Sequence, residues 1–240
     1  MSAELDPYTE ELATSLAHMA RDLLSEDTVE KTLDRIVSEA VARIDGCDEA
    51  SIMILDRERT LRTVASTSEV GQESDRIQAK LGEGPCFDAA ADPTVEVFRV
   101  ADMGGSGERW PQYAPQARAL GVGSMIGFRL FTNEQGLGAL NLYSSQPDAF
   151  GKRSEQVGWL FASHAAVAFA AARNDAQLHE AIATRQGIGQ AMGIIMHRYK
   201  VSEDEAFAVL KRVSQARNVK LRDIAHEVVE TGEVPGAEGR

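Results

Sequence analysis

What this sequence has least of narrows its chemistry first. Its 240 residues include only two cysteines, Cys47 and Cys86, at no Cys-x-x-Cys or metal-ligand spacing, which speaks against a disulfide framework or a zinc site. The histidines His18, His164, His179, His197 and His226 make neither His-x-x-x-His nor His-Glu-x-x-His, so no metal is expected. No apolar run approaches the roughly 18 residues that cross a bilayer. The opening MSAELDPYTEEL lacks the basic and apolar parts of a signal peptide, and the expectation is a cytoplasmic protein without membrane contact. No serine, histidine and acid stand in a nucleophilic arrangement, so neither an enzyme nor a cofactor is expected. Aromatic residues are 6% of the chain, which leaves few rings on which bases can stack.

Positive charge is also scarce, and it is unevenly spread. The formal net charge is -12. Residues 1–179 hold 16 Lys and Arg against 28 Asp and Glu, whereas residues 180–231 hold 8 against 7. Net field governs association more than fold, so two regions with different partners are expected, and nucleic acid can approach only the second. The stretch KRVSQARNVKLR, Lys211 to Arg222, concentrates five cations with no acid among them.

In the first region apolar residues recur at spacings of three and four from Leu12 to Leu24 and from Val29 to Ile44, which predicts two amphipathic helices, the second stopped by Gly46. The period then changes to that of strands: Ala50–Asp56, Leu61–Thr67 and, after a loop, Thr94–Val100. RERT is a hairpin-length connection between the first two. GSMIGFRLF and GLGALNLYS, joined by TNEQ, predict a second hairpin, Pro111–Leu120 a short helix, and Ser154 onward a long one. The sum is an α+β domain with helices on one side of an antiparallel meander of five or six strands.

This order resembles a GAF domain, carried by LGEGPC (Leu81–Cys86), the closing strands ending GALNLYS and the helix SEQVGWLFASHAAVAFA. The resemblance implies a scaffold that binds a small molecule such as a cyclic nucleotide, haem or tetrapyrrole, or that dimerises; no NKFDE-like string of the cyclic-nucleotide subset is present. The ligand is therefore left unknown. Cys86, after the Gly84-Pro85 turn, is the one candidate there, a redox-sensitive thiol, but no basic neighbour lowers its pKa and a buried small residue is the favoured reading. GGSG, Gly104–Gly107, lacks the Lys-Ser/Thr of a phosphate loop and reads as a surface turn. Asp48, Glu49 and Asp56 invite a phosphoacceptor reading, which the antiparallel sheet opposes.

From Ser154 to about Tyr199 there is no proline. Val157, Leu160, His164, Val167, Ala171, Asn174, Leu178, Ile182, Arg185, Gly189, Met192 and Met196 follow one another at spacings of three or four. Such a seam predicts a two-stranded coiled coil and hence a homodimer, with packing onto its own domain as the alternative for the first half.

Beyond Arg185, Ser202 with Glu205 has capping-box spacing, Ala206, Phe207, Leu210 and Val213 make an apolar stripe, Asn218 suits a left-handed cap, and a last helix runs from Leu221 to Thr231-Gly232. This segment resembles an ANTAR domain on Ala191, Gly193, Met196, Ala206-Phe207, Leu210, Ser214, Asn218, Leu221 and Ala225. Where that family often has Ala-Lys-Gly, this chain has Ala191-Met192-Gly193, and Met192 is expected in the seam. The resemblance implies a signal-responsive antiterminator that grips tandem RNA stem-loops as a dimer. Lys211, Arg212, Arg217, Lys220 and Arg222 are the phosphate candidates, Gln215 and Asn218 the base-edge candidates, and Gln190 and Arg198 further RNA contacts, with Ser214 structural. A DNA-binding regulator and a signalling adaptor without nucleic acid are the competing readings. The expected divisions are an extension (1–14), a GAF-like sensor (15–172), a coiled-coil linker (173–184), an ANTAR module (185–232) and a tail (233–240).

Overall fold

The structure is a computed structural model, and it describes residues 14, 17–18, 20–55, 60–91, 94–132 and 136–236. Asp56, most of the turn RERT, most of TNEQ, the first residues of the extension and the last of the tail lie outside the described residues. Of the predicted first helix, residues 14, 17, 18 and 20–24 are helical. The chain divides into two compact units, residues 1–173 and 174–240.

In the first unit α1 (Val29–Arg43) is opened by Thr28, whose hydroxyl accepts from the Lys31 amide at 3.2 Å. Then follow β1 (Glu49–Leu55), β2 (Leu61–Ser66), α2 (Glu69–Leu81), α3 (Pro85–Ala91), β3 (Val97–Val100), α4 (Tyr113–Ala119), β4 (Ser124–Phe131) and β5 (Gly136–Ser144). Every strand pairing is antiparallel, and the order across the sheet is β2-β1-β5-β4-β3. The sheet is thus not one continuous meander: β5 returns to lie beside β1, and β2 and β3 form the edges.

Alternation along the strands gives the sheet two buried faces rather than the single one expected. Ile52, Ile126 and Leu142 point toward α1 and the first part of α5 (Lys152–Tyr199), where they meet Ile36, Phe161 and Phe169. Their neighbours Met53, Met125 and Tyr143 point the other way, against Ile77, Cys86 and Tyr113 of α2, α3 and α4. Helices therefore cover both sides, and α2 and α3 occupy the stretch expected to be a loop. Each large apolar side chain so buried contributes about 1.5–3 kcal/mol.

Two glycines are set by aromatic rings. A β-carbon at Gly127 would lie 1.9 Å from Phe98 Cζ, and one at Gly158 of α5 would lie 2.3 Å from Phe128 Cζ. The rings fill the space a side chain would need.

The helix α5 has 48 residues and two distinct faces in its first half. Phe161, Ala165, Ala168 and Phe169 are buried in the sheet's core, whereas Leu160, His164, Val167 and Ala171 of the seam are exposed.

In the second unit the end of α5 packs with α6 (Glu203–Arg217) and α7 (Leu221–Thr231). Ala191, Ile195, Ala206, Leu210, Ile224, Ala225 and Val228 form its core. Both halves of the Ser202–Glu205 capping box are made, and Asn218 takes the left-handed conformation, φ 52°, ψ 40°, that ends α6. Two positions differ from expectation. Phe207 is exposed rather than core, because Ala206 and Leu210 take the inward positions, and Met192 is half-buried against this core.

Candidate functional site

The cationic corner lies between α6 and α7. Lys211 and Arg212 stand exposed on α6, Arg217 ends it, Asn218 turns the chain, and Lys220 and Arg222 open α7. Ser214 is structural: its hydroxyl donates to the Val219 carbonyl at 2.6 Å, and its own carbonyl accepts from the Val219 amide at 3.1 Å. Gln215 is exposed on the same turn.

Carboxylates divide the corner's cations into two groups. Arg217 meets Glu227 at 2.8 Å, and Arg222 meets Glu180, with Asp223 at 3.6 Å. Among the described residues no ion pair involves Lys211, Arg212 or Lys220. Arg198 is tied elsewhere, to Glu233 at 2.7 Å and to the Gly232 carbonyl at 3.2 Å, while Gln190 is exposed on α5. The structure therefore brings Lys211, Arg212, Gln215, Arg217, Asn218, Lys220 and Arg222 to one corner, while Arg198 braces the segment after α7. The exposed rings of Phe207 and Tyr199 add two apolar surfaces to this unit.

The first unit holds a buried polar cluster that the apolar pattern did not announce. Its centre is Asp75 of α2, wholly buried. The Tyr143 hydroxyl donates to Asp75 Oδ1 at 2.5 Å, the Asn141 amide to the same oxygen at 3.2 Å, and the Thr63 hydroxyl to Oδ2 at 3.0 Å. The Cys86 thiol donates to Asn141 Oδ1 at 3.1 Å, and the Cys86 amide to Gln78 Oε1 at 3.0 Å. Local sequence explains the placement of Cys86. Gly82 ends α2 at φ +63°, Gly84 at φ +122° packs on Gln78, and Pro85 begins α3, where its missing N–H costs nothing.

Burial raises the proton affinity of the whole cluster. It pushes the Asp75 carboxyl from 3.8 up to about 6, although hydrogen bonds from Tyr143, Ser51, Thr63 and Asn141 pull the other way. Burial first, and the Asp75 charge second, raise the Cys86 thiol well above its ordinary range. Cys86 is 3% exposed and held protonated, a poor nucleophile for oxidants.

A pH dependence follows. The folded state binds the Asp75 proton more tightly than the unfolded chain, so this group's favourable contribution is complete below about pH 4 and is lost as pH rises through about 6. Above that, the charged form costs the fold on the order of 3 kcal/mol. Asp75→Asn, which keeps an oxygen for Tyr143, is expected to remove this loss, so that wild type minus variant stability falls between pH 4 and pH 7. Urea denaturation across that range measures it, and parallel curves would show that Asp75 does not ionise there.

Beside the cluster lies a cavity of about 170 Å3, lined on the α3 side by Cys86 and Ala89 and on the sheet side by residues of all five strands. Among the described residues no three His, Cys, Asp or Glu gather as metal ligands. GGSG is a surface turn in which Asp102 accepts from the Gly104 amide at 2.8 Å.

An α+β unit with a cavity and a buried polar cluster, followed by an all-α unit with a cationic corner, has the architecture of a two-module regulator. The chain belongs to the GAF domain family, which matches residues 26–170, and residues 176–229 match the ANTAR domain. GAF domains are signal-sensing modules and ANTAR domains RNA-binding antitermination modules. Solved structures share the fold. The GAF domain of a Coxiella burnetii phosphoenolpyruvate-protein phosphotransferase is 19% identical with TM-score 0.53, the match covering 69% of this chain and 96% of that one. The GAF domain of an Acinetobacter phosphoenolpyruvate-protein phosphotransferase is 14% identical with TM-score 0.51, covering 71% and 97%. The phytochrome photosensory core module of Stigmatella aurantiaca is 14% identical with TM-score 0.56, covering 89% of this chain and 46% of that one. A comparison with curated proteins found no match.

Proposed function

We propose that this chain is a signal-responsive RNA-binding antiterminator without enzymatic activity, acting in the cytoplasm on nascent transcripts. Its GAF unit takes a small molecule or a partner, and its ANTAR unit grips tandem RNA stem-loops as a homodimer joined along α5. The observation that carries the RNA reading is the corner itself: Lys211, Arg212 and Lys220 are exposed without carboxylate partners among the described residues, next to the polar Gln215 and Asn218. Cations neutralise phosphates and polar side chains read the unstacked bases of loops. Duplex DNA is a poorer partner, because Asp223, Glu227 and Glu230 follow Arg222 on the helix that would enter a groove.

The dimer reading is supported by the seam of α5. Val167, Leu178 and Ile182 are 58%, 59% and 47% exposed, apolar side chains at coiled-coil spacing that no described residue buries. Asn174 between them would fix the register. No helix among the described residues is long and apolar enough to cross a membrane.

Titrating the protein with tandem stem-loop RNA, a single stem-loop and duplex DNA over a salt series tests the reading. Tandem RNA is expected to bind most tightly, with affinity falling steeply as salt rises. Absent or salt-independent RNA binding, or tighter binding to duplex DNA, would sink it, and a monomer in light scattering at all concentrations would remove the dimer.

The paired arginines add a sharper expectation. Glu227 and Glu180 occupy the guanidinium groups that RNA phosphates would use, and exposed pairs of this kind are worth about 0–1 kcal/mol. Glu227→Gln with Glu180→Gln is thus expected to tighten RNA binding roughly two- to tenfold. Unchanged or weaker binding in the same titration would show that Arg217 and Arg222 serve the fold alone.

A further inference from the structure

One stripe of α6 carries three kinds of exposed side chain in a fixed order. Phe207, Lys211, Gln215 and Asn218 follow one another at spacings of four, four and three, the spacings of residues that share one face of a helix. All four are exposed, beside the arc that Ala206 and Leu210 turn toward the core. Neighbours at such spacings stand about 5–6 Å apart, so the base and the phosphate of one nucleotide can reach two of them. The order from the helix start is a ring, a cation, an amide and, at the turn, a second amide.

The ring is the member that the fold does not explain. Phe207 is 41% exposed and is not among the residues that pack on the core of its unit. Helix propensity does not call for it either, since leucine, lysine and glutamate all suit an exposed helical position better. Its neighbour on the stripe, Lys211, is in no ion pair among the described residues, the nearby carboxylates answering to Arg217 and Arg222 instead. A flat apolar face one turn from an unpaired ammonium suits a ligand that is itself a flat ring joined to an anion. An unpaired nucleotide is such a ligand. Asp204, three residues before Phe207, lies in the first turn of α6 and repels phosphate on that side. The nucleotides therefore extend from the ring toward Asn218.

We propose that Phe207 is the stacking platform for an unpaired loop base of the bound RNA, with that nucleotide's phosphate on Lys211 and the next base edge on Gln215. The proposal rests on the reading of the second unit as an RNA-binding module and names the side chain by which it tells a loop from a duplex. A base inside a duplex has no free face to offer the ring. Stacking tolerates any base, because every base has a π-face, so Phe207 selects unpaired bases and leaves their identity to Gln215 and Asn218.

Titration of the full chain with tandem stem-loop RNA, its loop adenines replaced one at a time by fluorescent 2-aminopurine, tests it directly. One loop position is expected to lose fluorescence on binding as its base stacks. Phe207→Ala should weaken binding about tenfold and abolish that quenching, with the salt slope, the melting temperature and the light-scattering mass unaltered. Phe207→Trp should restore both, and Phe207→Leu, apolar but without a π-face, should restore neither. Lys211→Ala is the contrasting variant: it should lower the salt slope by about 0.7 per protomer while the quenching remains. The proposal is overturned by wild-type affinity or quenching in Phe207→Ala, or by Phe207→Leu binding as tightly as wild type. A shift of Phe207→Ala toward monomer also overturns it, because the ring would then be a contact between protomers. If the wild type binds no RNA, the RNA reading and the platform fall together; RNA binding with its full salt slope but no quenched loop position removes the platform alone.

Discussion

Alanine at Lys211, Arg212 and Lys220 together is expected to weaken tandem stem-loop binding on the order of fiftyfold near 0.15 M salt, and to lower the slope of log affinity against log salt by about 2 per protomer. Each cation facing a phosphate releases roughly 0.7 counterion on single-stranded RNA, and three such contacts compound. The fold should not register the change. All three side chains are exposed, and Lys220, the N-cap of α7, makes no side-chain cap bond that alanine would remove. Circular dichroism and the melting temperature of the ANTAR unit serve as the control. Loss of binding with an unaltered salt slope would mean that the corner orients RNA without neutralising phosphates, and no loss at all would move the interface elsewhere.

The second large effect concerns the core beneath that corner. Leu210 is wholly buried among the small residues Ala191, Ala206 and Ala225 and the branched Ile195, Ile224 and Val228. Leu210→Ala removes three carbons from the centre of this core and is expected to cost about 2–5 kcal/mol. A unit of this size has little more than that in reserve. The variant should therefore lose the helical transition of the ANTAR unit, and RNA binding with it, while the GAF unit melts at its usual temperature. A single transition shifted as a whole would show that the two units unfold together.

Much of the second unit was legible because its signals are local chemistry. A serine three residues before a glutamate makes a reciprocal cap whatever surrounds it, and Asn218 tolerates the left-handed conformation better than most residues. Phe207 misled for the opposite reason. Its apolar character says that it gains from burial, but Ala206 and Leu210 already fix which side of α6 faces inward, and Phe207 falls beyond that arc.

In the first unit the strands were readable and the helix α2 was not. Its inward residues are Gly71, Ser74, Asp75, Ile77 and Gln78, at helical spacing but almost all polar or small. A search for apolar periodicity passes over such a helix by construction. The sign available was on its partner: Asn141 interrupts the apolar run of GALNLYS at a buried position, and a buried amide must find polar company. The same oversight hid the second face of the sheet, since a strand buried on both sides loses the alternation that identifies an exposed one. The cavity was invisible for a different reason. It depends on which residues of β1, β5 and β4 stand side by side, and register is a property of the paired strands rather than of any one segment.

The ring of Phe98 over Gly127, and that of Phe128 over Gly158, constrain how this domain can diverge. A methyl group at either glycine would stand 1.9 or 2.3 Å from the Cζ of its ring, far inside van der Waals contact, so the ring as placed excludes it. The ring, by contrast, can be trimmed first at the cost of a void. Substitution at each pair is therefore a one-way street in time: the aromatic must shrink before the glycine can grow. Among descendants of this sequence the two positions will covary, and large residues will never occur at both.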